Sequence, residues 1–432
     1  MARGLEAGHQ VDLDLSIGVG QGVNGGARSA GSGGDRHRLA SVLLGAGTAL
    51  VAVLALITAT SGSGSIGQTS DPAPASPSAV VSFTAAEVAL GPGAAPIYPL
   101  VPVKVTVRQG TLRTVRVIDT KTGQQVPGTL APDALSWQSS APLAYSDTYQ
   151  VAADALGADH QIVHRSTSVA TVHPATLTSA SLSPGLDTVG VGQPLVVRFN
   201  HPVSDKTTAE KALSVTTNPQ QSGAWYWISA SEAHYRAEAY WQPGTTIQLA
   251  ANLFGMDLGD GAFGEANRAI TVHVHDSWVA KADGRSEVMQ IFHNGAMVKS
   301  MPISLGSPAH PSHVGPHVIS ARQPSIVMDS CTYGVCKGDP GYYKEKVDLD
   351  ERISNDGEFV HSAPWSVGQQ GDSNVSHGCV NLSPADARWF FDTFGIGDVV
   401  EITNSGGPKL PIYDTYGDWE IPWNQWHSGS AT

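Results

Sequence analysis

The sequence predicts a mainly β chain of three domains behind one N-terminal transmembrane helix. Three observations carry this. The chain has 432 residues, room for about three domains of ordinary size. Between residues 80 and 273, short runs of β-forming residues are broken by Gly and Pro, as in stacked sheets. Residues 39–60 contain no charged side chain and are mostly apolar or small; a helix of about 20 residues spans the roughly 30 Å of a bilayer core.

Charge narrows the partners. There are 25 Lys and Arg against 38 Asp and Glu, a formal net charge of −13. The basic residues form no dense cluster, which argues against a nucleic-acid partner.

Residues 1–38 are rich in Gly, Ala and charge without a hydrophobic period and read as a disordered tail. Arg28, Arg36 and Arg38 precede the apolar run, and the next basic residue after it is Lys104. The positive-inside rule therefore puts the N-terminus in the cytoplasm and the rest outside, with the cytoplasmic membrane as a partner. A cleaved signal peptide is the alternative; the long apolar run and long leading segment favour a retained anchor. No Cys follows the run closely, which argues against a lipoprotein. Residues 61–79 are mostly Ser, Gly, Pro and Ala, a linker that reaches up to ~65 Å when fully extended.

Residues 80–173 hold runs such as Val103-Lys104-Val105-Thr106-Val107 and Val115-Arg116-Val117-Ile118, with Trp137 and Tyr149 as core aromatics. They predict a β-sandwich of immunoglobulin-like type without a cysteine for an inter-sheet disulfide. Residues 174–273 predict a second one, with a strand at Leu195-Val196-Val197-Arg198-Phe199 and a helical turn near Ala209–Leu213. Trp225 and Trp227 share one face of a strand and Tyr226 takes the other; the paired face reads as core rather than as a sugar platform.

Residues 274–403 form the third domain, mixed and β-rich. Asn294-Gly295 between two apolar runs signals a hairpin. Its one marked helix begins at Ser383-Pro384-Ala385-Asp386: Ser as N-cap, Pro at the first helical position, an acid two residues on. Ala387, Phe390, Phe391 and Phe394 then share a face, and Gly395 ends the run. Residues 404–432 carry Trp419, Trp423 and Trp426 and are expected to lie on this domain, since aromatics at that density pack on something.

The chemistry gathers just before that helix, at Ser376-His377-Gly378-Cys379-Val380-Asn381. Cysteine attacks as thiolate and needs a neighbour that takes its proton. His361, eighteen positions upstream in His361-Ser362-Ala363-Pro364-Trp365, is the candidate base. Gly378 lets the backbone turn so that amide N–H groups face a developing oxyanion. A buried structural thiol is the plainer reading of Cys379, and the nearby histidines argue against it. His310, His313 and His317 do not follow a usual zinc spacing, and Pro308, Pro311 and Pro316 break any helix that would align them. No metal and no cofactor are expected.

The motif around Cys379, with His361 before it, resembles the signature of the L,D-transpeptidases, the cell-wall enzymes that cross-link peptidoglycan. The likeness runs from about Asp276 to the C-terminus and includes Met328-Asp329-Ser330, Thr332-Tyr333-Gly334-Val335, and Gly417-Asp418-Trp419-Glu420-Ile421-Pro422-Trp423. It is nearest the actinobacterial type with two immunoglobulin-like domains ahead of the catalytic one. The resemblance implies Cys379 as nucleophile, His361 as base, the backbone carbonyl of Ser362 as its orienter, and a role for His377 or only a shaping of the loop. It assigns Tyr343 to substrate positioning or to the oxyanion site, although Tyr342 beside it leaves that register open. It puts Met328, Tyr333 and Trp365 in the pocket under a lid of about residues 320–343, with plain packing as the alternative for each; Ser376 and Asn381 are expected to hold the loop by hydrogen bonds. The implied substrates are peptidoglycan stem peptides, and the implied product is a 3→3 cross-link made through a thioester with loss of D-Ala. Hydrolysis of that thioester, or a wall-binding protein with an idle third domain, are the alternatives.

Cys331 and Cys336 depart from the family pattern. On an extracytoplasmic lid they form a disulfide or stay two inert thiols.

Overall fold

The computed structural model describes residues 76–85, 88–340 and 342–432, the side chains of Val88 and Tyr333 excepted. The segments read as tail, membrane span and most of the linker lie outside the described residues. Among the described residues no helix is long and apolar enough to cross a membrane.

Alternation of side chains builds the first two domains. In Val103–Arg108 the valines at 103, 105 and 107 are buried and Lys104 and Thr106 are less so; a strand sends alternate residues to opposite faces. This strand belongs to a five-stranded sheet, and Gly110–Asp119, Thr148–Gly157 and Ile162–Ala170 form a three-stranded sheet. One apolar cluster containing Trp137 and Tyr149 fills the space between them. The second sandwich has two four-stranded sheets, one containing Leu195–Phe199 and Gly223–Trp227 and the other Leu213–Asn218 and Thr246–Asn252. Trp225 is buried in its core and Trp227 packs against that core and stacks on Phe199. The helical turn is Lys206–Lys211, capped by Asp205.

The third domain has a five-stranded sheet in the order Ala296–Pro302, Val288–His293, Trp278–Asp283, Val399–Thr403, Gly315–Val318. The Asn294-Gly295 turn has φ of 48° and 83° and pairs His293 with Ala296, the two left-handed residues that a tight hairpin requires. A second sheet runs Ala321–Asp329, Lys344–Arg352, Phe359–Ser362, Val380–Leu382. The helix Pro384–Thr393 starts at Ser383, whose hydroxyl accepts the Asp386 N–H. It buries Ala387 and Phe390 against the core, with Phe394 after it, while Phe391 is only partly covered.

The second sandwich and the third domain share a seam. Val399 belongs to the sandwich core. Gly190 N–H donates to Ile396 O at 2.9 Å and Gly192 N–H to Gly397 O at 2.8 Å. A Cβ on Gly190 would stand 2.3 Å from the Asp398 amide nitrogen, so the two backbones meet only because this position is glycine.

The C-terminal segment does more than lie on the third domain. Lys409 bridges to Val314 there. Beyond that the segment crosses to the second sandwich. Trp419 Nε1–H donates to Gly192 O at 2.8 Å. The short helix Trp423–His427 places Trp426 on Tyr226, ring centroids 4.9 Å apart. The last residues end on Glu210, which accepts the Ala431 N–H at 2.8 Å. The tryptophans announce that the tail packs; Arg236, whose guanidinium lies 4.6 Å from the Trp419 and Trp426 rings, explains where.

Candidate active site

The site is built on the parallel pair Phe359–Ser362 and Val380–Leu382, where Val360 faces Val380, His361 faces Asn381 and Ser362 faces Leu382. Val360, Val380 and Leu382 belong to the core. By the period of two, His361, Asn381 and, one step before the strand, Cys379 take the other face. The sheet thus presents His361 and Cys379 on one face, although eighteen positions separate them in sequence.

His361 is buried, and its Nδ1 lies 3.0 Å from Ser362 O. Only a protonated Nδ1 donates to a carbonyl, so the neutral ring carries its lone pair on Nε2. Burial holds the imidazole down at about 4, against the Ser362 carbonyl, which favours the charged form. Burial likewise pushes the Cys379 thiol up to about 12, with the Phe359 backbone acting in the opposite sense and the Glu358 charge adding to the rise. Burial thus disfavours both charged forms, the thiolate and the imidazolium. The thiol lies 3.6 Å from the Gly357 carbonyl.

Hydrogen bonds fix the loop that carries Cys379. Ser376 Oγ–H donates to Cys379 O at 2.7 Å and accepts the Gly378 N–H at 3.1 Å. Gly378 has φ of +121°, a conformation that favours glycine. Its N–H is used inside the loop, so the part Gly378 plays is to shape the turn. Ser312 Oγ–H donates to Gly378 O at 2.6 Å. Asn381 Nδ2–H donates to Ser366 Oγ at 3.0 Å.

Cys379, His361, Ser376, His377 and Asn381 line one cavity of about 280 Å³ together with Met328, Tyr343 and Trp365. A second cavity of about 240 Å³ shares Met328 and Tyr343 and extends past Gly357 and Phe359. The larger cavity on the second sandwich, about 690 Å³, holds none of these residues; chemistry, not size, decides between them. Ser362 contributes its carbonyl rather than its side chain. The Tyr333 side chain lies outside the described residues. Trp365 is 51% exposed at the rim. His377 stands between the rings of Tyr343 and His310, centroids 5.1 Å and 4.9 Å away. Burial, then the His310 ring, holds His377 below the ordinary imidazole value.

The segment between Asp329 and Lys344 is tied down at both ends. Cys331 and Cys336 are joined in a disulfide with Cα atoms 4.2 Å apart. Ser330 N–H donates to Tyr343 O at 3.0 Å, and Lys344 pairs with Asp329 at 2.8 Å. Sequence reasoning gave no role to Ser312, or to Ser366 at the end of the stretch that starts at His361, whose hydroxyls hold Gly378 O and Asn381.

Two families match this chain: the bacterial Ig domain over residues 94–257, which spans parts of both sandwiches, and the L,D-transpeptidase catalytic domain over residues 277–402. L,D-transpeptidase 2 of Mycobacterium tuberculosis is 43% identical over 335 residues, 76% of this chain and 81% of that protein. L,D-transpeptidase 5 of the same organism is 32% identical over 347 residues, 78% of this chain and 75% of that protein. A solved LD transpeptidase in complex with imipenem aligns over 53% of this chain and 100% of its own, at 31% identity and a TM-score of 0.47.

Proposed function

The chain belongs to the L,D-transpeptidase family, and from that premise we propose that it forms 3→3 cross-links in peptidoglycan through a thioester on Cys379. The observation that carries this reading is the shared face of His361 and Cys379, with His361 Nδ1–H held by Ser362 O at 3.0 Å.

The donor is the carbonyl between the third stem residue, diaminopimelate, and the terminal D-Ala. As Cys379 Sγ attacks that carbon, His361 Nε2 takes the thiol proton, so no free thiolate has to form in a buried site. The C–N bond then breaks, the D-Ala amine leaves with the proton from His361, and the thioester remains. The side-chain amine of a second stem attacks the thioester; His361 takes its proton and returns it to the departing sulfur. Two cavities that meet at Met328 and Tyr343 suit a reaction with two peptide substrates. In this reading residues 39–60 anchor the protein in the cytoplasmic membrane, with the catalytic domain outside at the wall.

A thioester partitions between water and an amine according to which is held in place. The test supplies the purified protein with a disaccharide-tetrapeptide and separates products by mass. Dimers joined through two diaminopimelate residues, with release of D-Ala, are expected. Tripeptide as the sole product, even at high acceptor concentration, makes the protein a hydrolase instead.

A further inference from the structure

The second cavity beside the nucleophile holds a cation that the reaction as drawn does not use. Three charged side chains line it, Asp329, Asp356 and Arg352. Asp329 is paired with Lys344 at 2.8 Å. Asp356 accepts the Ser354 hydroxyl and lies 3.7 Å from His313 Nδ1. Arg352 has no ion pair among the described residues. Its guanidinium gives one N–H to Ser354 O at 3.2 Å and lies 4.4 Å from the centre of the Phe359 ring. A guanidinium carries five N–H donors in a rigid fork, so most of this one faces the cavity without a protein acceptor.

Register puts this cation next to the reaction. Arg352 is the cross-strand partner of Phe359. Val360 faces Val380 on the next strand, so one step back Phe359 lies beside Cys379. Residues directly across a sheet point to the same face. Arg352, Phe359 and Cys379 therefore form one row, on the face that also carries His361. Adjacent strands are about 4.8 Å apart, and the Arg352 side chain spans one spacing to cover the ring in the middle of the row. Gly357, whose carbonyl lies 3.6 Å from Cys379 Sγ, borders the same cavity. Burial dominates the rise of the Cys379 thiol, and the Arg352 charge is among the groups that oppose it.

With the cross-linking reaction as premise, we propose that Arg352 binds the free α-carboxylate of the donor's terminal D-Ala and so selects stems that end one residue past the scissile bond. That carboxylate is joined to the scissile carbon through the departing nitrogen and one Cα, at most ~4.3 Å along the bonds. With the carbon on Cys379 Sγ and the nitrogen toward His361, the carboxylate falls over Phe359, where the guanidinium stands. A guanidinium meets a carboxylate with two parallel N–H···O bonds, and the ring beneath it fixes the plane of the fork. A stem one residue longer would put a neutral peptide link there and carry its carboxylate about 3.5 Å farther. Such a donor leaves the fork unpaired, which costs more than the misfit of size alone.

The test uses the full chain and two donors that differ only in the group at issue. One is the disaccharide-tetrapeptide ending in D-Ala, the other the same stem ending in D-alaninamide. Release of D-Ala or D-alaninamide at limiting donor gives kcat/KM for each. Wild type should prefer the free carboxylate by about 10–100-fold. Arg352→Gln should bring that ratio near one, and Arg352→Lys, which keeps the charge without the fork, should fall between. A structural role for Arg352 would slow both donors alike and leave the ratio as it was; that result overturns the assignment. So does a wild-type ratio near one, whether or not the variants fold. Equal release from the two donors leaves the cross-linking reading standing and removes only this assignment, whereas release from neither removes both.

Discussion

Ser362 holds the proton-bearing nitrogen of His361, Nδ1 lying 3.0 Å from its carbonyl. The bond supplies orientation without charge. A carboxylate in that place would stabilise an imidazolium; a carbonyl in a dry pocket leaves His361 at about 4. The imidazole is therefore neutral across the whole physiological range.

From this follows a pH profile. His361 works as base only when unprotonated, so the acid limb of acylation should fall near pH 4 rather than 6.5. With burial pushing the thiol up to about 12, the thiolate is a minor form at pH 7. Iodoacetamide should then label Cys379 slowly, while a carbapenem, which resembles the acyl donor, labels it fast. Cys379→Ala should abolish labelling and turnover, and His361→Ala should slow acylation by about 10²–10⁴-fold. Intact-protein mass spectrometry against time reads each rate. An acid limb at 6.5, or turnover surviving in Cys379→Ala, contradicts the assignment.

The lid disulfide gives a second expectation. Thiol counting on the denatured protein should find one free thiol, Cys379, and three after reduction, because Cys331 and Cys336 are paired. Reduction loosens the loop between Ser330 and Tyr343, two residues that also bond to each other. The acylation rate should change while the fold, followed by circular dichroism, does not. Three free thiols before reduction would rule the bond out.

What was legible beforehand had a local cause. The valine alternation at 103–107, the Asn294-Gly295 turn and the Ser383 cap are each written within a few residues. The Cys379 motif was equally visible, because its resemblance is carried by contiguous residues. Glu358, Ser312 and Ser366 were not, because their meaning depends on which distant segment comes to face them. The tail illustrates the same limit. Three tryptophans require a partner, but only the folded seam puts Arg236 within their reach. For His313 and His317, spacing along the chain argued against a shared site, while the fold brings Glu358 between them.

His234 provides a pH test of that seam. It is buried between Glu232 and Asp418, at 2.7 Å and 2.9 Å. Burial pulls its imidazole down, but Asp418, then Glu232, outweigh this and carry it to about 9. A raised value means that the folded chain binds the proton more tightly. The stabilisation is complete below about 6.5 and is lost as pH rises through 9. The interval corresponds to on the order of 3 kcal/mol. Melting temperatures of wild type and His234→Asn should converge between pH 6.5 and 9, the variant being the less stable on the acid side. A constant difference across that window would show that the proton on His234 does not couple to folding.

Trp426 tests what the tail contributes. Its side chain is wholly buried, its Nε1–H donates to Ala224 O at 2.9 Å, and its ring stacks on Tyr226. Removing a buried indole costs about 3–5 kcal/mol when the site does not collapse, and here Arg236 would also lose one of the rings beneath it. Neither cavity beside Cys379 contains a residue from 423–432. Trp426→Ala should therefore lower the melting temperature while leaving the carbapenem acylation rate near wild type at a temperature where the variant is folded. Trp426→Phe keeps most of the apolar contact and loses only the indole hydrogen bond, typically worth about 1 kcal/mol, so it should fall between the two. Calorimetry across the three proteins gives the order. If Trp426→Ala melts with wild type, the C-terminal segment is dispensable, and the seam through Gly190 and Val399 alone holds the catalytic domain to the second sandwich.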